Sequence, residues 1–167
     1  PYFMRLASGI GKPKDTRMGV DFSGVVAAVG PDVTRFKPGD EVFGDVAGNG
    51  FGAFAEYVSA PEDTFVLKPS GLTFEEAAAV PLAAVTALQG LRDHGQIQVG
   101  QKVLINGASG GVGTYAVQIA KAFGAEVTAV DHADKLEMLR SIGADHVIDY
   151  THEDFAAKEE RYDLVFD

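Results

Sequence analysis

The stretch LINGASGGVGTYAVQIAKAFGAEVTAVD, residues 104–131, decides the fold of the second half of the chain. It opens on an apolar run, passes through glycines at 107, 110, 111 and 113, and continues with apolar side chains at helical spacing. A second apolar run, EVTAVD, closes it at residues 126–131. The order of strand, glycine-rich turn, helix and strand predicts parallel pairing with a right-handed crossover.

The same alternation continues to the end of the chain. Apolar positions between residues 112 and 123 form one helical stripe, and Leu136, Leu139 and Ile142 form another, with Gly143 as the C-terminal cap. The strands are predicted at residues 102–106, 126–131, 146–149 and 163–167. The pattern predicts part of a doubly wound parallel α/β sheet, which commonly has six strands.

The first half of the chain has a different texture. Its runs are short, β-branched or aromatic, and separated by turn signals, so a β-rich unit is predicted. An alanine-rich helix is expected after Leu72, with Thr73 as its N-cap, and a second from Leu82 to His94. We expect one domain over residues 1–78 and another over residues 79–167. The strand candidates lie in DFSGVVAAVG (21–30), PDVTRFKPGDEVFG (31–44), GAFAEYVSAP (52–61) and TFVLKPSG (64–71).

Composition excludes several classes of protein. The 167 residues carry a formal net charge of -10, which argues against a nucleic-acid or acidic-membrane surface. The longest apolar stretch, residues 77–88, is too short for a membrane span, and residues 1–10 show no export signal. A cytoplasmic protein is therefore expected. Because the chain starts at Pro1 and stops within a predicted strand, we expect it to be part of a longer protein.

The glycine-rich loop admits three interpretations. Gly110, Gly111 and Gly113 can form a cradle for a pyrophosphate at a helix N-terminus, with Ala108 at the position of the first glycine of G-x-G-x-x-G. The loop also satisfies G-x-S-x-G, in which Ser109 would be a hydrolase nucleophile. A third interpretation is a tight structural turn. Asp131, at the end of the following strand, favours the pyrophosphate cradle, because ribose recognition needs an acid there.

Ser109 has two expected roles if the loop binds phosphate. It either caps the following helix or donates a hydrogen bond to a phosphate oxygen. As a nucleophile it would need an acid and a histidine later in the chain.

Six blocks together carry a family resemblance that covers nearly the whole chain. In order and spacing they resemble the medium-chain dehydrogenase/reductase superfamily, in particular its zinc-independent quinone oxidoreductase branch. The resemblance implies a GroES-like β domain followed by a Rossmann domain. The blocks are GVDFSGVVAAVG, RFKPGDEVFG, GAFAEYV, PLAAVTAL, GASGGVGTYAVQIAKAFGAEVTAV and RSIGADHVIDY.

The resemblance also bears on zinc. Zinc-dependent members carry a histidine where this chain has Val20, and they use cysteines, which this chain lacks. A catalytic zinc site takes three protein ligands. The four histidines do not form a ligand spacing, so no metal site is predicted: His94, His132, His146 and His152.

The expected cofactor is NADP(H), favoured slightly over NAD(H). Asp131 favours NAD, since its carboxylate accepts a hydrogen bond from the ribose 2′-hydroxyl and repels a 2′-phosphate. By the resemblance, Lys135 and Tyr150 correspond to residues that contact the 2′-phosphate, and Thr86 to the threonine beside the nicotinamide. The remaining cofactor-binding residues are those of the loop: Ala108, Ser109, Gly110, Gly111, Val112 and Gly113.

The resemblance implies hydride transfer between a nicotinamide and a quinone, an enone or a small carbonyl or alcohol substrate. No catalytic acid or base is identified. An enoyl reductase unit of a polyketide-type synthase and a non-catalytic NADPH-binding protein remain alternatives, as does the serine hydrolase. A homodimer is left open for the intact protein.

Overall fold

The computed structural model describes residues 16–157 and 160–167. The sequence-based expectation for residues 1–10, that they carry no export signal, lies outside these residues. The chain divides into two compact units, the first ending at Leu82 and the second beginning at Ala83. The predicted domain boundary after residue 78 stays a prediction. Among the described helices, none has the length and apolar character that a bilayer span requires.

The first unit is built on a three-stranded antiparallel sheet in the order β1-β2-β3. Phe22, Val42 and Val46 are buried, and the rings of Phe22 and Phe65 meet edge to face at 5.0 Å. Gly44 is required here, because a Cβ at this position would overlap the carbonyl oxygen of residue 64. The strands are β1 (Asp21–Val25), β2 (Glu41–Asp45) and β3 (Phe65–Leu67).

The strand predicted within residues 52–61 is not formed. The amides of Gly52 and Ala53 donate to the carbonyl of Gly19, and that of Phe54 donates to the carbonyl of Met18. The side chains of Phe54 and Tyr57 are largely exposed. Alternation alone was misleading, because the segment bonds to a neighbouring turn and buries neither aromatic ring.

Two helices follow the first sheet. Helix α1 (Phe74–Ala78) begins at the predicted N-cap: Thr73 Oγ1 accepts from the Glu76 amide at 3.1 Å, and Glu76 accepts from the Thr73 amide at 2.8 Å. Helix α2 (Pro81–Leu88) continues as a π-helical segment, Gln89–His94, and ends at Gly95. The predicted helix from Leu82 to His94 is thus present, and its last six residues have π-helical hydrogen bonding.

The second unit contains a four-stranded parallel sheet in the order β6-β5-β4-β7. Counted within this sheet, the order is third, second, first, fourth, as in half of a Rossmann sheet. The order reverses between β4 and β7, which makes that position the topological switch point. The strands are β4 (Lys102–Asn106), β5 (Glu126–Asp131), β6 (His146–Asp149) and β7 (Leu164–Phe166).

Helices α3 (Gly111–Ala122) and α4 (Leu136–Ser141) connect these parallel strands. Ala116, Val117 and Ala120 of α3 have no exposed surface and belong to the core cluster of the second unit. The small side chains on this stripe let the helix approach the sheet closely. The glycine-rich turn that precedes α3 lies at the carboxyl edge of the sheet.

Candidate dinucleotide-binding site

The loop between β4 and α3 makes its tight turn at Gly107, whose φ is 65°. This left-handed conformation favours glycine. The Gly110 amide donates to the Gly107 carbonyl at 3.0 Å, and the Ala108 amide donates to the Val130 carbonyl of β5 at 3.2 Å. Ala108 is fully buried. Gly107 therefore provides the tight turn, whereas Ala108, which stands at the first glycine position of G-x-G-x-x-G, is buried against β5.

The remaining glycines differ in what surrounds them. At Gly113 a Cβ would overlap the Gly107 carbonyl oxygen and lie 2.7 Å from the carbonyl carbon of Ala108. At Gly110 it would lie 3.2 Å from the same oxygen. At Gly111 a Cβ would meet no atom of the described residues within 4 Å, its chain neighbours and the backbone of its own helix aside. Packing of the helix against the loop thus explains Gly113, whereas Gly111 faces open space that a Cβ would fill.

Helix α3 begins without a side-chain cap. Its N-cap is Gly110, and no side chain accepts from the first-turn amides. This corrects the prediction that Ser109 caps the helix, because the tight Gly107–Gly110 turn places Ser109 one residue too early. The first N–H groups of a helix have no partner within it and carry part of the positive end of the helix dipole. The twelve-residue helix α3 therefore presents amide donors suited to an anion.

Asp131 connects β5 to this loop. Its Oδ2 accepts from the Ser109 amide at 2.7 Å and its Oδ1 accepts from the His132 amide at 2.8 Å. Partial burial acts to raise the pKa of the Asp131 carboxyl, but hydrogen bonds from Ser109 and His132 outweigh it, and the pKa lies below its ordinary value. The ionised carboxylate thus holds the loop in place, a role that sequence analysis did not assign to it.

His132 and Asp134, which sequence analysis did not select as cofactor-binding residues, connect Lys135 and Tyr150 to the end of β5. His132 Nδ1 lies 2.6 Å from Asp134 Oδ1, and Lys135 Nζ lies 3.3 Å from Asp134 Oδ2. The Tyr150 ring meets the His132 ring edge to face at 6.2 Å, and its amide donates to the Asp131 carbonyl at 3.3 Å. Asp131, His132, Asp134, Lys135 and Tyr150 form what we call the β5-end cluster. Its signal in the sequence was a run of charged residues directly after a parallel strand.

A second aspartate, Asp149, ends the neighbouring strand β6 opposite Asp131 in register. The Thr151 hydroxyl and amide donate to Asp149 Oδ1 at 2.7 and 2.9 Å, and His152 Nδ1 lies 2.7 Å from Oδ2. The Thr151 bonds, supported by His152, lower the Asp149 pKa to about 2. This carboxylate is bound within its own turn, and its function is to close the end of β6.

The other residues at this edge have simpler surroundings. Asn106, at the end of β4, donates from Nδ2 to Asp167 Oδ1 at 2.7 Å, so the ends of β4 and β7 are bonded across the switch point. Thr86 lies on an exposed face of α2, while the adjacent Ala87 is buried in the core of the second unit. The structure brings the loop, Asp131, Lys135 and Tyr150 together at the carboxyl edge of the sheet.

Neither the hollow of the first unit nor the described carboxylates and histidines offer a second site of this kind. A hollow of about 510 Å³ in the first unit is lined largely by apolar residues together with Glu56 and Glu62, a lining that suits no phosphate group. In the described part of the chain, no group of three or more potential ligand side chains is arranged to hold a metal ion. The donor set for a zinc site does not fit, because the chain also has no cysteine.

The sheet order and the glycine-rich first loop define the Rossmann class of α/β unit. The family model described as zinc-binding dehydrogenase matches residues 111–167, and that described as alcohol dehydrogenase GroES-like domain matches residues 4–70. The chain belongs to the medium-chain dehydrogenase/reductase superfamily, in its quinone oxidoreductase-like branch. The expected fold, a GroES-like domain followed by a Rossmann-like parallel sheet, is confirmed.

Three similar proteins illustrate the match. The chain is 45% identical over 163 residues to a 2-methylene-furan-3-one reductase from Solanum lycopersicum, covering 93% of this chain and 42% of the relative. It is 40% identical, with the same coverage, to a chloroplastic NADPH-dependent alkenal/one oxidoreductase from Arabidopsis thaliana. The quinone oxidoreductase structure from Coxiella burnetii superposes with a TM-score of 0.87 at 35% identity, covering 99% of this chain and 51% of that one. The chain thus spans about half the length of these relatives or less.

Proposed function

We propose that the protein is an NAD(P)H-dependent oxidoreductase acting on a quinone, an enone or a small carbonyl or alcohol substrate. The observation that carries the proposal is the β4–α3 loop, where an uncapped helix N-terminus adjoins open space at Gly111. The relatives named as quinone oxidoreductase and NADPH-dependent alkenal/one oxidoreductase support the reaction class. When bound, the nicotinamide would supply or accept the hydride.

The loop residues are proposed to hold the cofactor pyrophosphate. Amides at the start of α3 would donate to its oxygens, and the missing side chain of Gly111 would leave room for them. Gly111 and Val112 would contribute backbone donors. The Gly110 amide is bound by the Gly107 carbonyl at 3.0 Å, and the Ser109 amide is held by Asp131 at 2.7 Å, so these two residues would shape the site rather than donate their amides. Gly113 acts indirectly, because it lets α3 pack against the loop.

The β5-end cluster is proposed to receive the adenosine ribose. Asp131 keeps lone pairs on both oxygens after accepting its two amide bonds, so it can still accept from a ribose hydroxyl. Lys135 and Tyr150 are proposed to contact a 2′-phosphate, which favours NADP(H) slightly over NAD(H). Thr86 is proposed to lie beside the nicotinamide on the strength of its family position.

The reaction is proposed to proceed without zinc, since neither the composition nor the described side chains provide a ligand set. The chain's own contribution would be to bind and orient the cofactor and to limit water access, and no acid or base is assigned. Location in the cytoplasm and a homodimer of the intact protein stay predictions. Cell fractionation and light scattering of the intact protein would test them.

The test is a parallel titration of the chain with NADPH and NADH, followed by nicotinamide fluorescence. The chain has no tryptophan, so the signal is read without tryptophan emission. Gly111→Val should abolish binding while the far-ultraviolet circular dichroism stays unchanged. Gly71→Val is the matched control, because a Cβ at Gly71 would likewise meet no atom of the described residues within 4 Å, and Gly71 lies in the first unit.

Undiminished binding by Gly111→Val would contradict the proposed phosphate site. A panel of quinones, enones and carbonyl compounds with the intact protein then separates the reaction classes. Cofactor binding without turnover of any of them would indicate a non-catalytic binding protein. Labelling of Ser109 by a fluorophosphonate probe would instead favour a hydrolase, although no hydrogen bond joins Ser109 to a histidine within residues 16–157 and 160–167.

A further inference from the structure

Asp134 belongs to the β5-end cluster but has no role in the proposed cofactor contacts. Its two carboxylate oxygens bind different partners: Oδ1 lies 2.6 Å from His132 Nδ1, and Oδ2 lies 3.3 Å from Lys135 Nζ. A carboxylate can only accept, so the 2.6 Å contact places the proton on Nδ1 of His132, and it takes precedence over the longer approach of the Asp134 amide to the same nitrogen at 3.4 Å. Both nitrogen-bearing side chains next to Asp131 are thus bound by one acid.

Asp134 also lies near enough to Asp131 for their negative charges to repel each other. From β6, Asp149 lies opposite Asp131 in register, with its charge bound by Thr151 and His152. Among these three carboxylates, the one that the only lysine of the cluster contacts is Asp134. A cofactor 2′-phosphate, which carries about -1.5 to -2 charges at neutral pH, would have to compete for this lysine.

We propose that Asp134 is a specificity-determining residue, which holds His132 and Lys135 and thereby lowers the preference of the site for NADPH over NADH. This inference rests on the proposed function. A cofactor without the 2′-phosphate needs neither side chain, so its binding is indifferent to Asp134. The predicted result is a protein that accepts both cofactors, with NADPH favoured only slightly.

Asp134→Asn tests the proposal, because the amide keeps the shape of the side chain and removes its charge. Exposed charge pairs change binding by a factor of about two to five, and the phosphate carries nearly two charges. We expect NADPH to bind about fivefold more tightly, and NADH to change by less than about twofold. The gain should shrink in concentrated salt, which screens exposed charges.

Glu126→Gln is the matched control. Glu126 begins the same strand, and its Oε1 lies 3.1 Å from His146 Nε2 and 3.9 Å from Lys102 Nζ, an arrangement like that around Asp134. The substitution removes one negative charge, as Asp134→Asn does. Glu126 lies about 16 Å from Asp131 along β5, at about 3.3 Å per residue, which is beyond the Debye length of about 10 Å in 0.1 M salt. We expect no change in affinity for either cofactor.

The decisive comparison uses the background His132→Asn/Lys135→Met. If Asp134 acts by holding these side chains, Asp134→Asn should lose its effect there. A full gain in that background overturns the proposal, and so does an equal effect on NADH or a result that matches Glu126→Gln. Unchanged unfolding midpoints in urea would exclude a general structural effect. If the unsubstituted chain binds neither cofactor, the proposed function itself fails, and the inference fails with it.

Discussion

Replacing Gly113 by alanine should unfold the second unit at markedly lower denaturant concentration. A Cβ at this position overlaps the Gly107 carbonyl oxygen and lies 2.7 Å from two backbone atoms of Ala108. Backbone atoms cannot rotate away as a flexible side chain can. Relief requires α3 to move off the sheet, which disturbs the fully buried contacts of Ala116 and Val117.

Overpacking a well-packed core costs about 1–3 kcal/mol, and a clash with backbone belongs at the upper end. At a slope of about 2 kcal/mol per molar urea, a loss of about 3 kcal/mol lowers the midpoint by about 1.5 M. The assay is urea unfolding of the chain, followed by far-ultraviolet circular dichroism.

Gly111→Ala provides the control within the same helix. The new Cβ would meet no atom of the described residues outside its own helix backbone and chain neighbours, so stability should stay equal or rise by up to about 1 kcal/mol, as for glycine to alanine in helices. If Gly113→Ala unfolds within about 0.3 M of the unsubstituted chain, the close approach of helix and loop does not require glycine, and the explanation given for Gly113 is wrong.

Three further predictions concern carboxylates. Asp145 accepts from Lys121 Nζ and from the Val127 amide, each at 2.7 Å, so Asp145→Ala should cost about 2 kcal/mol in urea unfolding, and a loss below about 0.5 kcal/mol would refute this. The Asp149 pKa of about 2 lies below its value in the unfolded chain, so the stability that Asp149 contributes to the fold is complete above about pH 4 and is lost as the pH falls towards 2. Asp149→Asn should make the unfolding temperature depend less on pH between 4 and 2, and an unchanged dependence would count against this explanation. Burial raises the pKa of Asp21, so its ionised form opposes folding as the pH rises; Asp21→Asn should stabilise the chain at pH 7 by less than about 1 kcal/mol, and an equal gain at pH 3 would show that charge is not the cause.

The second unit follows its sequence closely. Strands β4, β5 and β6 have the predicted bounds, and β7 is shorter than predicted by one residue at each end. Strands β4 and β5 are largely buried, and α3 and α4 follow them with one apolar stripe each, so local pattern and packing favour the same structure. The cap at Thr73 was predictable for a similar reason, since it depends on residues three positions apart.

The failures occurred where distant residues decide the structure. Residues 52–61 alternate as a strand does, yet their amides bond to the turn at Met18 and Gly19. Ser109 was expected as a possible cap, but its amide is bound by Asp131, 22 residues later. Asp134 carried no recognised motif, because its importance comes from two contacts that spacing alone does not specify.

With the cofactor placed as proposed, the bond between Asp131 and the Ser109 amide restricts how cofactor preference can change at this position. Exchanging Asp131 for a smaller neutral residue would relieve repulsion of a phosphate, but it would also leave the Ser109 amide without its acceptor. Lineages that change cofactor preference at this position must therefore acquire a substitute acceptor first or tolerate a less ordered loop. A change at Asp134 carries no such penalty, because the side-chain contacts of Asp134 are with His132 and Lys135 rather than with the β4–α3 loop. Substitutions at Asp134 can therefore change cofactor preference more easily than substitutions at Asp131.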